Sequence, residues 1–412
     1  MKERLYKILK NKNNIVLLEN FGALSILQGL SMVLPLITLP YLLKTIGTDK
    51  YGIIIVANSL LVYFQTLTDF SFNLTSVREV SVHRHSKRSL NYIYSRVLTC
   101  KALLICISAA IYIPLIFLVP KFYINRVVFF VTFPSLIGYV LLPDWFFQGI
   151  QKMKVVTVRT SVIKIISTAC VFLFIHEKRD FYIFPLLMTI GYIISGIYAQ
   201  YLVVTQYGLR YTPIGYRRVS KSLKNNFNVF VNQIFPTLYN NSTTFLLGLL
   251  TNNSIVGIYG ASKGIIEVAN KCIQMISRTF FPHLNRNFGS FEKFKVMMIS
   301  IGFSSFAVIS LLSPFLKSFF HIKGQYTVLT ICILALSIPF YAMSQCFGTN
   351  YFIVKRKDSM VMKNTVFASL TGFILAFPLI LTFAGVGAAV NLTLSRGIMG
   401  VGLWWKYKKF KK

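Results

Sequence analysis

Lys263, Glu267 and Lys271 recur at intervals of four in a largely apolar stretch, which puts them on one face of a helix. One carboxylate neutralises one ammonium, so that face keeps a net positive charge. Lys101, Lys164 and Arg396 also lie inside apolar runs. A cation in hydrocarbon costs roughly 2.5–3.5 kcal/mol on insertion scales and normally faces a partner or a watery cavity. Lys164 is about nine residues into its run, roughly 13 Å at 1.5 Å per residue. Arg396 is near the centre of its own run, so neither reaches water readily through lipid. Lys263, near a run end, and Lys101, one turn past Arg96, could extend towards the interface instead. The acids at similar depth are Asp69, Asp144 and Glu267, with Glu19 near an edge, so cations are in excess. Lys and Arg pair with phosphate oxygens, and an anionic substrate is the chemistry such a set would serve.

Neutral polar groups accompany them. Asn58, Gln65, Asp69 and Asn73 share one helical face, opposite Ile, Val, Leu and Phe. Between positions 225 and 244 stand Asn225, Asn226, Asn228, Asn232, Gln233, Asn240, Asn241 and Ser242 to Thr244, with Pro236 among them. Amides both donate and accept, which suits sugar hydroxyls. Such faces form either a cavity wall or a hydrogen-bonded seam between helices, and the residues alone leave both open.

Catalytic signals are missing. No nucleophile motif, phosphate-binding loop or metal spacing is present. The six Cys are scattered, mostly in apolar runs, and the five His sit near run ends without ligand spacing. The expectation is a protein that is not an enzyme and carries no resident cofactor.

Composition agrees with a membrane setting. Of 412 residues 55% are hydrophobic and only 13% charged, half the share of about 25% in soluble domains. Mean hydropathy is +0.61. The net charge of +33 would suggest nucleic acid in a polar chain; in an apolar one it suggests basic cytoplasmic loops, with no nucleic-acid partner.

Twelve apolar runs read as membrane helices: 17–43, 52–74, 97–119, 127–148, 155–175, 181–204, 227–250, 255–278, 296–316, 326–351, 364–383 and 385–405. With a cytoplasmic N-terminus, 31 of the 44 Lys and Arg fall in inside segments and eight in outside ones, Arg159 being counted in an inside loop. That asymmetry places both termini in the cytoplasm. The five left over are Lys101, Lys164, Lys263, Lys271 and Arg396.

A weak internal repeat is visible. Gln28 and Gln233, and Gly52 and Gly257, are each 205 residues apart. Two basic triplets, Lys152-Met153-Lys154 and Lys355-Arg356-Lys357, follow aromatic helix ends in each half. The expected organisation is an N-terminal six-helix lobe, 1–204, a basic cytoplasmic linker, 205–226, and a C-terminal six-helix lobe, 227–412. Six spans per half make the repeat parallel, with a substrate site near the midplane.

Three segments carry a family likeness: "SILQGLSMVLPLITLPYLLKTIGTDKYG" (25–52), "DFSFNLTSVREVSVHR" (69–84) and "PDWFFQGIQKMK" (143–154). The chain resembles the Wzx-type O-antigen and capsule repeat-unit flippases of the polysaccharide transporter family. These share a superfamily and fold with the multidrug and toxin extrusion (MATE) exporters. Gln28, Arg78, Asp144, Trp145, Gln148 and Gly149 stand at the motif positions. Ser71-Phe72 replaces the more usual Gly-Phe or Gly-Leu.

The resemblance implies a MATE-like, all-α membrane bundle in the bacterial cytoplasmic (inner) membrane. The implied substrate is undecaprenyl diphosphate carrying one oligosaccharide unit, for O-antigen or capsule synthesis. Alternating access coupled to an H⁺ or Na⁺ gradient follows. The implied partners are membrane lipid, a polysaccharide polymerase and a chain-length regulator. A cavity assembled from Lys101, Lys164, Lys263, Glu267, Lys271, Arg396, Asn58, Gln65, Asp69, Asn73, Gln28, Gln233 and Asn240 would bind the head group. The alternative on the same fold is a cation or drug antiporter, which would bind cations with intramembrane carboxylates.

Overall fold

Backbone amides in hydrocarbon have no water to bond, so an apolar chain satisfies them within helices. The structure, a computed structural model, describes residues 12–411, apart from the side chains of 12–21, 23, 24, 236, 238–240 and 411. Among the described residues every regular element is helical. The chain opens with α1 Lys12–Thr45, α2 Gly47–Asp69, α3 Phe72–Val82 and α4 Lys87–Leu118. Short helices α5 Pro120–Ile124, α6 Arg126–Thr132, α7 Ser135–Leu141 and α8 Asp144–Gly149 lead to α9 Met153–Phe174 and α10 Ile183–Tyr207. Then come α11 Tyr216–Leu250, α12 Asn253–Arg286, α13 Phe291–Leu311, α14 Ser313–Phe319, α15 Thr327–Ala335 and α16 Ser337–Met343. A π-wound segment, Ser344–Ile353, and α17, Asp358–Lys411, complete it.

Nine stretches of the described residues are long and apolar enough to cross a membrane. They are Ser25–Thr45, Gly47–Val82, Lys87–Leu118, Arg126–Gly149, Met153–Phe174, Lys178–Tyr207, Phe288–Leu311, Thr327–Ile353 and Asp358–Phe410. Large apolar side chains such as Leu118, Leu173 and Leu311 stand on their outer surfaces. The chain is a multi-pass membrane protein. Helices α11 and α12, at 35 and 34 residues, are as long but carry too many Asn, Lys and Arg to join that group. Helix α17 is interrupted at Ala384 (φ 47°, ψ −121°). Its two arms fold back on each other, with Asn364 Nδ2 donating to the Met399 carbonyl at 3.0 Å.

Several spans are less regular than their hydropathy suggests. The run 52–74, read as one helix, turns a corner at Phe70 (φ 42°) and Ser71 (φ 63°). Tertiary contacts hold it: Ser71 Oγ donates to Gln233 Oε1 at 2.9 Å, and Phe70 stacks on Phe230 with ring centroids 4.4 Å apart. The run 127–148 divides at Pro134 and Pro143, where a helical amide is lost.

The chain packs as two compact units, each discontinuous in sequence. One comprises Met1–Thr38, Tyr63–His176 and Tyr182–Gln233; the other Leu39–Val62, Glu177–Phe181 and Ile234–Lys412.

Within the second unit the N-terminal ends of α2 and α12 meet at glycine. A Cβ on Gly52 would lie 1.8 Å from the Asn253 carbonyl oxygen, and one on Gly257 1.9 Å from that of Thr48. Only glycine permits this approach. Thr48 Oγ1 and Ser254 Oγ lie 3.2 Å apart beside it. The two backbone contacts are related by the 205-residue offset, since Thr48 and Asn253 are separated as Gly52 and Gly257 are. The same offset relates two helix ends: Gln151 (φ 61°) and Arg356 (φ 55°) are both left-handed. After them the Lys152 and Lys357 amides donate to Phe147 and Phe352 carbonyls, each at 2.8 Å.

Candidate functional site

Each unit holds its own cluster of buried charge. In the first, α4 carries Lys101 to the corner between α2 and α3. Its Nζ donates to Asp69 Oδ1 at 3.0 Å and reaches Asn73 Oδ1 at 3.5 Å. Asn73 Nδ2 donates to Tyr139 Oη at 3.3 Å. Lys101 is fully buried and Asp69 nearly so. Asp69 and Asn73 therefore converge through the corner, not along one helical face. Lys101 is enclosed by the pair and does not extend to the interface. Asn58 is exposed, whereas Gln65 and Gln28 are half-buried. Gln233 is engaged by Ser71.

A second pair joins α8 to α9. Arg159 Nη2 donates to Asp144 Oδ1 at 2.6 Å, with the guanidinium buried and the carboxylate partly exposed. Counting Arg159 as a loop residue was wrong. It lies inside α9, and its only hint was an acid 15 positions earlier. The surrounding motif is held by packing. Trp145, Phe146 and Phe147 are buried, and Phe146 and Phe147 both meet Tyr207 edge-on. Gly149 lets α8 approach α3, where a Cβ would come within 2.5 Å of Val80. Gln148 and Arg78 are exposed, while the neighbouring Glu79 pairs with Arg96. Farther along α9, Lys164 Nζ donates to Ser31 Oγ at 2.6 Å.

In the second unit the centre is Arg396. Nη2 donates to Glu267 Oε1 at 2.6 Å and Nη1 to Ser337 Oγ at 3.0 Å. The guanidinium lies 5.4 Å from the Tyr341 ring centroid. Arg396 is 4% exposed, whereas the Glu267 side chain is 36% exposed. Lys263 Nζ, one turn from Glu267, donates to Thr244 Oγ1 at 3.2 Å. Asn391 Nδ2 donates to Thr243 Oγ1 at 2.8 Å. Lys271 is half-buried on α12. The side chains of Asn240 and Glu19 are not among those described. Ser31, Tyr139, Thr244, Ser337 and Tyr341 complete these clusters, and nothing in their local sequence singles them out.

All three acids at membrane depth are thus matched by a cation from another helix. Six cations (Lys101, Arg159, Lys164, Lys263, Lys271 and Arg396) stand against those three carboxylates, so the interior charge is positive. Among the described residues no group of His, Cys, Asp and Glu could hold a metal ion.

A bundle of membrane helices with paired charges inside its spans is the architecture of a transporter. The fold is similar to that of the lipid II flippase MurJ in an inward closed conformation, with a TM-score of 0.78 and 14% identity, covering 93% of this chain and 87% of that one. It is also similar to an inward-facing multidrug resistance MATE family transporter of the MOP superfamily, with a TM-score of 0.66 and 10% identity, covering 92% and 95% of the two chains. These likenesses define the fold. The family described as "Polysaccharide biosynthesis protein" matches residues 17–288, and the chain belongs to it. That membership bears out the resemblance carried by the three sequence segments. A curated relative from Escherichia coli (strain K12), named "Putative O-antigen transporter", is 26% identical over 391 residues, 93% of this chain and 94% of its own length. One of the same name from Shigella dysenteriae is 22% identical over 390 residues, 91% and 96%. The names are those of transporters and flippases, not of enzymes.

Proposed function

We propose that this protein is a flippase for a lipid-linked oligosaccharide repeat unit. It moves undecaprenyl-diphosphate oligosaccharide from the cytoplasmic to the outer leaflet of the bacterial inner membrane, for O-antigen or capsule assembly. The observation that carries this reading is the end-to-end similarity to the O-antigen transporter relatives. The buried chemistry is consistent with it. A diphosphate is anionic, and the span interior is cationic. A sugar offers hydroxyls, and the polar residues of α2 and α11 offer amides. The polyprenyl tail is apolar and stays in lipid, so only the head group needs a polar path.

Twelve crossings follow if α11 and α12 both span and α17 crosses twice at Ala384. The 205-residue offset shared by the glycine contacts and by the helix ends at Gln151 and Arg356 supports a parallel repeat of six spans. An even span count keeps both termini in the cytoplasm, in agreement with the basic loops. Alternating exposure of the partly open Arg396–Glu267 cluster, driven by an H⁺ or Na⁺ gradient, would carry the head group across.

Reconstitution tests the reading. Proteoliposomes loaded with labelled undecaprenyl-diphosphate oligosaccharide should lose label from the inner leaflet to an impermeant glycosidase outside. No translocation of the glycolipid, with transport of a cationic dye instead, would overturn the flippase reading in favour of an antiporter.

A further inference from the structure

Helices α9 and α10 border an open groove of about 920 Å³ within the first unit. Its walls include Val158, Val162 and Ile166 from α9 and Ile194 and Tyr198 from α10. Each of these is about half exposed. From Lys154 to Ile166 the groove follows twelve residues of helix, about 18 Å. One end is basic: Lys152, Lys154 and Arg159 line it.

Arg159 is the unusual member. Asp144 accepts from its Nη2, but Nε and Nη1 are buried without a protein acceptor. Unmatched donors on a buried guanidinium are costly, and an anion at this end of the groove would reduce that cost. Three cations against the single Asp144 carboxylate leave this end positive.

We propose that the groove binds a polyprenyl phosphate, with the phosphate at Lys152, Lys154 and Arg159 and the first isoprene units along Val158, Val162 and Ile194. The proposal rests on the flippase reading and assigns a place to the carrier part of its substrate, apart from the sugar. Lys154, Val158, Val162 and Ile166 recur at intervals of four along α9, so an exposed ammonium continues into the apolar wall on one helical face. A phosphate joined directly to hydrocarbon matches that succession.

Binding of undecaprenyl monophosphate to the full chain in neutral phosphatidylcholine nanodiscs, read by native mass spectrometry, tests it. The wild type should bind. Lys152→Gln/Lys154→Gln, which changes only exposed side chains, should weaken binding about tenfold or more by removing charge-assisted bonds. Val162→Trp should weaken it comparably by filling the groove while leaving both lysines in place. Unchanged affinity in both variants would overturn the proposal. So would equal competition by phosphatidylglycerol, which marks a general anionic-lipid site, or by inorganic phosphate, which marks a free-anion site. The two readings separate cleanly: translocation by a chain whose groove variants bind normally sinks the groove alone. Variant-sensitive binding by a chain that does not translocate keeps the groove and sinks the flippase.

Discussion

Arg396 and Glu267 meet at 2.6 Å across 129 residues of sequence. The guanidinium is held by Ser337 and backed by the Tyr341 ring, whereas the carboxylate remains partly open. Helical spacing alone offers Glu267 one of the two lysines on its own helix, Lys263 or Lys271. Its ion-pair partner is a cation from α17.

Replacing Arg396 with Ala should therefore lower polysaccharide export about tenfold or more, a loss of the size expected for one charge-assisted anion contact. Arg396→Lys should retain part of the activity, since an ammonium still offers a point charge but not the fork that spans Glu267 and Ser337. Surface polysaccharide measured at matched membrane levels of protein checks this. Wild-type export by Arg396→Ala would remove the residue from the transport path.

The Lys101–Asp69 pair is more deeply buried and should behave as structure. Asp69→Asn leaves an ammonium without a counter-charge, a change that costs about 3–5 kcal/mol in buried pairs. The double variant Asp69→Leu/Lys101→Met removes both charges and should recover most of that loss. Thermal unfolding midpoints of the purified proteins in detergent decide the matter. A double variant as unstable as the single one would show that the ion pair is not the cause.

The contact between α2 and α12 can be locked. Thr48→Cys/Ser254→Cys, in a background without native Cys, should form a disulfide on mild oxidation, because the two hydroxyl oxygens already lie 3.2 Å apart. Transport should stop on oxidation and return on reduction if this contact opens during the cycle. Unimpaired transport by the cross-linked protein would make the contact permanent. Gly52→Val should disfavour the closed contact, since its Cβ collides with the Asn253 carbonyl; the same Cys pair placed in that variant should then cross-link poorly.

Topology has a direct readout. A reporter fused after Lys411 should be active only in the cytoplasm, and one inserted beside Asn252 only outside. An external C-terminus would mean an odd number of crossings, and the parallel repeat would fall with it.

The sequence determined the class of protein and much of its inventory. Hydropathy is summed over some twenty residues per span, so the membrane helices were legible even where Pro134 and Pro143 divide one into pieces. Depth in hydrocarbon is costly for any charge, so Asp69, Asp144, Glu267 and Arg396 stood out as residues needing a partner or a watery cavity, without showing which. Short motifs such as that around Trp145 announced the family. Tertiary structure decided who meets whom. The corner at Phe70 and Ser71 depends on Gln233 and Phe230, over 150 residues away, and no local propensity specifies it. Arg159 passed for a loop residue because it follows the basic pair Lys152 and Lys154, until Asp144 folded against it. Helical spacing favours Lys263 or Lys271 for Glu267, but a helix fixes only neighbours one turn away. The partner an acid takes in low dielectric depends on which helices pack together, and that is decided by the whole chain at once.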